Sequence, residues 1–387
     1  MLLAIAIAAF VSLGLPDGVL GVAWPSIRRT FDLPLSQLGS LLAAAMTGYL
    51  LSTFSSGWVV ARLGVGRVLL WSTLLMVANS GAYALAPAWW IMVASGVLAG
   101  LGAGAVDAGM NAFAAAHFSP RLVTWLHASY GIGAMLGPLL MTAILTSGLG
   151  WRWGYAVIGA LLAAMAVSFF LTVGLWQMTP PAGSECLRPH AASVGLVATV
   201  GRPRVWLHIS LFFVYTGLEV TAGQWTYSLF TEGRGFPPAL VGTWIGCYWA
   251  SLTAGRLISG AVVGRVSASA LLRLATLGAP VAALLVWSGA GPVTSFMGLT
   301  GMGFCLAPIY PLLISETPKR LGPSRATVAI GFQVAAAYLG TAALPSLAGL
   351  LASRNGLEVI GPFLFSAATI LLLLQEIAAQ WTPRPAT

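Results

Sequence analysis

The sequence predicts an all-α integral membrane protein with twelve transmembrane helices in two six-helix bundles. Hydrophobic residues make up 58% of the 387 residues and charged residues only 7%, whereas a soluble domain carries about 25% charged residues. A repeat within this apolar chain indicates two parallel membrane halves, which is typical of secondary transporters. At an offset of 203 residues, Ser56-Gly57-x-Val59-Val60-x-Arg62 returns as Ser259-Gly260-x-Val262-Val263-x-Arg265.

Twelve apolar stretches are long enough to cross a bilayer as helices, for which about 20 residues are needed. Six precede and six follow a proline-containing, charged segment at 177–203 that we predict to be a linker. The predicted domains are therefore an N-terminal bundle at 1–176, the linker at 177–203 and a C-terminal bundle at 204–387. The predicted spans are 2–26, 36–60, 67–87, 89–116, 122–147, 153–176, 205–231, 238–263, 269–289, 291–315, 324–351 and 357–381.

The basic residues predict the orientation of the chain. A net charge of +9 could by itself indicate binding to nucleic acid or anionic lipid. The positions of the basic residues relative to the predicted spans indicate membrane topology instead. Twelve basic residues fall on one side of the predicted helices and five on the other, and the more basic side stays in the cytoplasm. We therefore expect both termini and the linker in the cytoplasm and no nucleic-acid partner. The preference for arginine over lysine favours a bacterial inner (plasma) membrane.

Other function classes lack their sequence signatures. Cys186, Cys247 and Cys305 are scattered, without the spacing of a metal site or a disulfide framework. We also find no nucleophile–base pair and no nucleotide-binding loop, so we expect no enzyme, no cofactor or metal, and no primary pump. The apolar start of the chain, Met1 to Phe10, has no basic n-region and is predicted to begin the first span rather than a cleaved signal.

Three carboxylates fall well inside predicted spans: Asp17, Asp107 and Glu219. An ionisable group in hydrocarbon is costly and therefore indicates function. Asp17 follows Pro16 among several glycines, which predicts a local break in the first helix. Under the repeat offset of 203 residues, Asp17 corresponds to position 220, which is next to Glu219. The alternative for Asp17 is a residue that caps a kink.

Asp107 and Asn111 are four residues apart and share one helix face, which suggests the lining of a polar cavity. Burial in a low-dielectric site favours the neutral form of an acid, so such a group can bind and release a proton during transport. We therefore predict proton coupling by Asp17, Asp107 and Glu219. Which of the three couples stays open, and substrate binding is the alternative role for Glu219.

Polar and aromatic residues within the spans are candidates for substrate binding. Amides bind hydroxyl groups, and a flat indole stacks on a sugar face. The alternatives are an interfacial position for the aromatic residues and a structural hydrogen bond for the histidine. The candidates are Asn111, Gln224, Trp225, Gln333, Tyr130 and His127.

The loop after the second span reads Gly57-Trp-Val-Val-Ala61-Arg62-Leu-Gly64-Val-Gly66-Arg67. This segment resembles the signature of the major facilitator superfamily, Gly-x-x-x-Asp-Arg-x-Gly-Arg-Arg. Ala61 replaces the usual acid, which puts the charge contact of that signature in doubt, and Gly260 to Arg265 forms a weaker echo in the second half. The resemblance implies a gating loop that includes Gly57, Arg62, Gly64, Arg67 and Arg265.

Within this superfamily, the chain looks most like the fucose permease-like sugar–proton symporters. The similar segments are Leu13-Gly-Leu-Pro-Asp17-Gly-Val, Trp24-Pro25 and Leu126-His127-Ala-Ser-Tyr130-Gly131-Ile-Gly133-Ala-Met-Leu-Gly137-Pro138. The resemblance implies roles for Asp17 and Asp107 in proton coupling and sugar binding.

We therefore expect a monomeric secondary transporter that takes up a small neutral polar solute, such as a sugar, with protons. Sodium is the alternative coupling ion. Proton-coupled efflux of drugs or amphipathic metabolites is the alternative function, because Gly133-x-x-x-Gly137-Pro138 partly resembles the motif of drug–proton antiporters.

Overall fold

The computed structural model describes residues 1–177, 199 and 201–380, and these residues are almost entirely helical. Their β pairing is limited to an isolated bridge between Val263 and Val266. In the first half of the chain, the helices are α1 (Leu2–Gly14), α2 (Val19–Phe31), α3 (Leu38–Leu63), α4 (Val65–Leu85), α5 (Trp89–His117), α6 (Pro120–Thr146) and α7 (Trp151–Thr172). In the second half, they are α8 (Pro203–Ser228), α9 (Pro238–Val262), α10 (Ala268–Ser288), α11 (Pro292–Leu306), α12 (Ile309–Leu321), α13 (Pro323–Asn355) and α14 (Ile360–Gln380).

Tighter or wider turns extend several of these helices. Short 3₁₀ segments occupy Leu35–Gln37, Val173–Leu175 and Leu357–Val359, and a π-helical turn at Leu229–Gly233 continues α8. A chain in hydrocarbon must satisfy its backbone hydrogen bonds internally, which explains why such apolar sequence is helical. Proline at the first position, as in α8, α9 and α11, suits a helix start because its backbone nitrogen needs no partner there.

The helices confirm the predicted all-α membrane fold, and each of the twelve predicted spans is helical. Among the described residues, eleven segments are both long and apolar enough to cross a membrane. Helix α9 corresponds to the predicted span 238–263 but is not one of these eleven. Its glycines, aromatic residues and Arg256 lower its hydropathy.

Two predicted spans are divided into two helices. The first span is interrupted at residues 15–18 between α1 and α2, where Pro16 cannot donate a backbone hydrogen bond. This agrees with the break that the sequence predicts beside Asp17. The span predicted at 291–315 is also divided, between Leu306 and Ile309, and α12 continues to Leu321.

The chain divides into two compact units. The first comprises the described residues of Met1–Thr179, Gly223–Ala250 and Gly349–Leu357, and the second those of Pro180–Ala222, Ser251–Ala348 and Glu358–Thr387. Helices α8, α9 and α13 therefore contribute residues to both. The bundle boundaries at 176 and 204 stay predictions, since most of the predicted linker and Cys186 lie outside the described residues.

Glycines allow close helix packing inside the first unit. A Cβ added at Gly14 would overlap the backbone of Tyr130, and one added at Gly133 would overlap the carbonyl oxygen of Val11. Helices α1 and α6 therefore touch backbone to backbone. Helices α3 and α5 pack in the same way at Gly48 and Gly100, as expected for membrane helices that approach through small residues.

The second unit contains an equivalent contact between α8 and α13. A Cβ at Gly340 would overlap the carbonyl oxygen of Phe213, and one at Gly217 would lie 2.8 Å from Leu344. The hydroxyl of Thr216 also donates to the carbonyl oxygen of Ala337 across these helices at 2.6 Å. These contacts fix the part of α8 that carries Glu219.

Candidate transport site

Asp17 lies in the interruption between α1 and α2, and its side chain is exposed although its neighbours Leu15 and Gly18 are buried. Its carboxylate accepts a hydrogen bond from the hydroxyl of Tyr130 on α6. The glycine contacts between α1 and α6 bring these two side chains together. The structure thus places Tyr130, a predicted substrate-binding residue, directly on a predicted proton-coupling residue.

Gln224 approaches the same interruption within the first unit. Its side-chain amide donates to the carbonyl oxygen of Asp17 at 3.2 Å, and the residue is 5% exposed. The amide oxygen is buried and has no hydrogen-bond partner among the described residues. A buried acceptor without a donor is costly, so this oxygen is available to a ligand that donates a hydrogen bond.

Trp225 is fully buried beside Gln224. Its indole ring packs against Gly349, where an added Cβ would lie 2.5 Å from the ring. The ring therefore fills a packing position in this structure. His127 is exposed, and its ring meets that of Phe10 edge to face at 5.3 Å.

Asp107 forms a second polar cluster in the first unit. One carboxylate oxygen accepts from the side-chain amide of Asn111 at 2.8 Å, and the other accepts from the hydroxyl of Tyr49 at 2.8 Å. The contact with Asn111 agrees with their predicted common face. Sequence analysis missed Tyr49, which belongs to α3 and meets Asp107 only because Gly48 and Gly100 let α3 and α5 pack closely.

Glu219 lies in the second unit, on the uninterrupted helix α8. Its carboxylate accepts from the hydroxyl of Tyr215, one turn earlier, and pairs with the guanidinium of Arg256 at 3.5 Å. The side chains of Arg256 and Glu219 are 36% and 13% exposed. Arg256 is not among the site residues predicted from the sequence, although an arginine inside a span is itself a signal of function.

Gln333 is fully buried in the second unit. Its amide oxygen accepts from the hydroxyl of Thr317 at 3.1 Å, while its amide nitrogen has no partner among the described residues. Gln333 therefore joins α13 to α12 in this structure. Gln333 thus has an unused donor, whereas Gln224 has an unused acceptor.

The predicted gating loop is largely helical in the structure, where only Gly64 separates α3 from α4. Gly57 and Arg62 belong to α3 and Arg67 to α4, while Arg265 follows α9 in the second half. The guanidinium of Arg62 lies 4.1 Å from the ring centre of Trp58, a cation–π contact. Gly64 has a φ of +76°, which favours glycine there. Gly57, Arg67 and Arg265 are exposed.

No group of three His, Cys, Asp or Glu side chains that could hold a metal ion occurs in the described residues. The carboxylates of Asp17, Asp107 and Glu219 accept hydrogen bonds from tyrosine hydroxyl groups, Asp107 also from an amide, and Glu219 also contacts a guanidinium. Such groups can exchange protons and bind hydroxylated solutes.

The pattern of apolar helices, divided spans and in-membrane acids matches one known family along most of the chain. The family model described as the Major Facilitator Superfamily matches residues 5–332. The chain belongs to the major facilitator superfamily. This confirms the predicted family, and the protein is a membrane transporter rather than an enzyme.

Two similar proteins of known sequence cover nearly the whole chain. "Bypass of stop codon protein 6" of Saccharomyces cerevisiae is 24% identical, over 97% of this chain and 80% of its own length. "Sodium-dependent glucose transporter 1A" of Mus musculus is 23% identical, over 89% of this chain and 88% of its own length.

Solved transporter structures share the fold. The structure titled "D-xylose-proton symporter" superposes with a TM-score of 0.75 at 14% identity, covering 96% of both chains. A major facilitator transporter titled FucP, in the outward conformation, gives 0.64 at 15% identity, covering 98% of both chains. At such identities the likeness establishes the fold alone.

Proposed function

We propose that this transporter takes up a small neutral polar solute, such as a sugar, together with protons. The predicted bundles at 1–176 and 204–387 move about a central site so that it opens to one side of the membrane at a time. The protein acts as a monomer in the inner (plasma) membrane, with both termini in the cytoplasm.

The exposed carboxylate of Asp17 at the break in the first span is the observation that carries this proposal. An accessible carboxylate in the middle of an apolar span needs water or polar groups around it. The hydroxyl of Tyr130 and the amide of Gln224 lie at the same break. Acid, hydroxyl and amide groups together offer the donors and acceptors that a hydroxylated neutral solute requires.

Proton coupling follows from the charge of this carboxylate. An ionised Asp17 resists passage through a closed, dehydrated state of the site, whereas a protonated one does not. Proton binding therefore permits the loaded carrier to close. Asp107, with Tyr49 and Asn111, is the second candidate for the same role.

The names of similar proteins support a sugar as the solute, but they indicate two different coupling ions. The mouse relative is named a sodium-dependent glucose transporter, and one solved structure with this fold is titled a xylose–proton symporter. The test must therefore separate protons from sodium.

The experiment uses the purified full-length protein in liposomes that contain a pH-sensitive dye. A panel of hexoses and pentoses is added without an imposed ion gradient, first in choline chloride and then in sodium chloride. We expect one sugar class to acidify the interior in both salts, because each sugar enters with a proton. Protein-free liposomes measure the leak.

Other outcomes contradict the proposal in specific ways. Sugar entry that requires sodium and leaves the internal pH unchanged would rule out proton coupling. Alkalinisation on adding cationic amphiphiles, after correction for passive base entry, would favour the alternative efflux function. A lack of response to every compound would remove the support for sugar transport but not for the fold.

A further inference from the structure

A partly open cavity in the second unit is surrounded by arginines. It has a volume of about 540 Å³ and lies where α12 ends and where α8 and α13 begin. The amino termini of α8 and α13 carry partial positive charge and the carboxyl terminus of α12 carries partial negative charge, so the arginines supply most of the charge of the cavity. The cavity is lined by Arg202, Pro203, Arg204, Val205, Arg320, Leu321 and Arg325.

Arg320 is the buried member of this group. It is 7% exposed, and two of its guanidinium nitrogens, Nε and Nη1, are buried without a hydrogen-bond partner among the described residues. The Nε of Arg325 is also buried without a hydrogen-bond partner among the described residues. A buried guanidinium with unused donors is costly unless an anion meets it, so these donors indicate a ligand.

Glu316 attracts the guanidinium of Arg320 electrostatically but also pairs with another cation. Glu316 lies one helical turn before Arg320, and its carboxylate pairs with the ammonium of Lys319 at 2.7 Å. None of the four cavity arginines forms an ion pair with another described residue. The cavity therefore keeps a strong excess of positive charge.

We propose that this cavity binds a phosphate group. Guanidinium groups hold phosphate through paired, charge-assisted hydrogen bonds, and basic pockets between membrane helices bind the head groups of anionic lipids. The phosphate belongs either to an anionic lipid of the surrounding leaflet or to a free phosphate ion. The site uses none of the residues assigned to transport.

The test measures binding by the full-length protein in detergent micelles. Native mass spectrometry follows titrations with phosphatidylglycerol and, for comparison, with zwitterionic phosphatidylcholine. We expect saturable binding of phosphatidylglycerol that is about fivefold weaker in Arg204→Gln and in Arg325→Gln, the factor typical of one basic residue near a lipid surface. The control, Arg354→Gln, removes the same charge from an exposed arginine of α13 and should change the affinity less than twofold.

A charge-conserving variant tests the geometry. Arg320→Lys keeps the positive charge but loses the planar fork, so it should also weaken binding. If that variant does not fold, the two glutamine variants still decide the proposal. Competition by inorganic phosphate at constant ionic strength identifies the source. Full displacement, with the same dependence on the variants, points to a free phosphate ion, and failure to displace points to the lipid head group.

Two results would overturn the proposal. The first is equal binding of phosphatidylglycerol by the wild type and by both glutamine variants. The second is an equal loss in Arg354→Gln, which would mean that general surface charge attracts the lipid.

Discussion

Asp17 and Glu219 each lie in the first predicted span of their half, and both spans pack in the same way, but the surroundings of the two acids differ. Gly14, near Asp17, packs against α6, and Gly217, near Glu219, packs against α13. These glycines correspond under the sequence repeat, and each lets the first predicted span of its half touch the fifth span, which is α6 in the first half and α13 in the second. The repeat has therefore kept a packing contact that needs a residue without a side chain.

The acids themselves have diverged. Asp17 lies in a helix interruption, is exposed and accepts from the hydroxyl of Tyr130, whereas Glu219 lies in a continuous helix, is half-buried and pairs with Arg256. The guanidinium of Arg256 offsets the charge of Glu219, and the exposed position of Asp17 lets protons reach its carboxylate. We infer that Asp17 changes its protonation during transport and that Glu219 holds the structure or the substrate.

Neutralising Asp17 should produce the largest effect. Asp17→Asn mimics permanent protonation, so we expect it to abolish accumulation against a gradient while exchange of labelled substrate continues. Glu219→Gln should leave some accumulation, because the inferred role of Glu219 is not proton transfer. Uptake and counterflow in proteoliposomes measure the two activities separately.

Asp32→Asn is the matched control for this experiment. Asp32 ends α2 with a φ of +51° and is exposed, and asparagine tolerates this left-handed conformation. The control should accumulate substrate as the wild type does. Normal accumulation by Asp17→Asn would show instead that Asp17 has no part in coupling.

The shared glycine contacts predict a smaller effect, on stability. Gly14→Ala places a methyl group against the backbone of Tyr130, which cannot move aside, so we expect a loss of about 2–3 kcal/mol in folding free energy. Gly217→Ala mainly meets the side chain of Leu344, which can shift, and should cost about 1 kcal/mol. Thermal unfolding in detergent, followed by tryptophan fluorescence, compares the two variants.

Gly81→Ala provides the control for packing. Apart from the backbone of its own helix, no atom lies within 4 Å of a Cβ built at Gly81, toward the end of α4, and alanine is the better helix former by about 1 kcal/mol. This variant should therefore be as stable as the wild type or slightly more so. Equal losses at Gly14 and Gly81 would mean that the close contact between α1 and α6 is unimportant.

The sequence predicted most of the fold because apolar length and a proline-induced break are local properties. The lengths of the apolar stretches predicted the spans, and Pro16 with its neighbouring glycines predicted the interruption beside Asp17. Helix ends were harder to predict. Helix α2 continues to Phe31 past the predicted end at 26, because Arg28 and Arg29 are compatible with helix but lower the hydropathy.

The candidate site could be predicted only in part. An acid such as Asp107 stands out in apolar sequence, and its contact with Asn111 follows from helical spacing. Its other partner, Tyr49, lies 58 residues away in the chain, and a tyrosine in a membrane helix is ordinary. Such a pairing depends on which helices are neighbours, and the spacing of residues within one helix does not contain that information.

The ion pair of Arg256 and Glu219 gives a modest expected effect and the sharpest test of the difference between the two acids. Arg256→Gln leaves the carboxylate of Glu219 without its guanidinium in a half-buried site. Breaking a buried pair costs about 3–5 kcal/mol, but Arg256 is 36% exposed, so we expect about 1–2 kcal/mol after allowing for solvent screening. The double variant Arg256→Gln/Glu219→Gln removes both charges and should recover part of this loss, because two amides can hydrogen-bond to each other. If the double variant is as unstable as the sum of the single variants, then the two charges do not interact, and the assigned difference between Asp17 and Glu219 would have to come from the helix break alone.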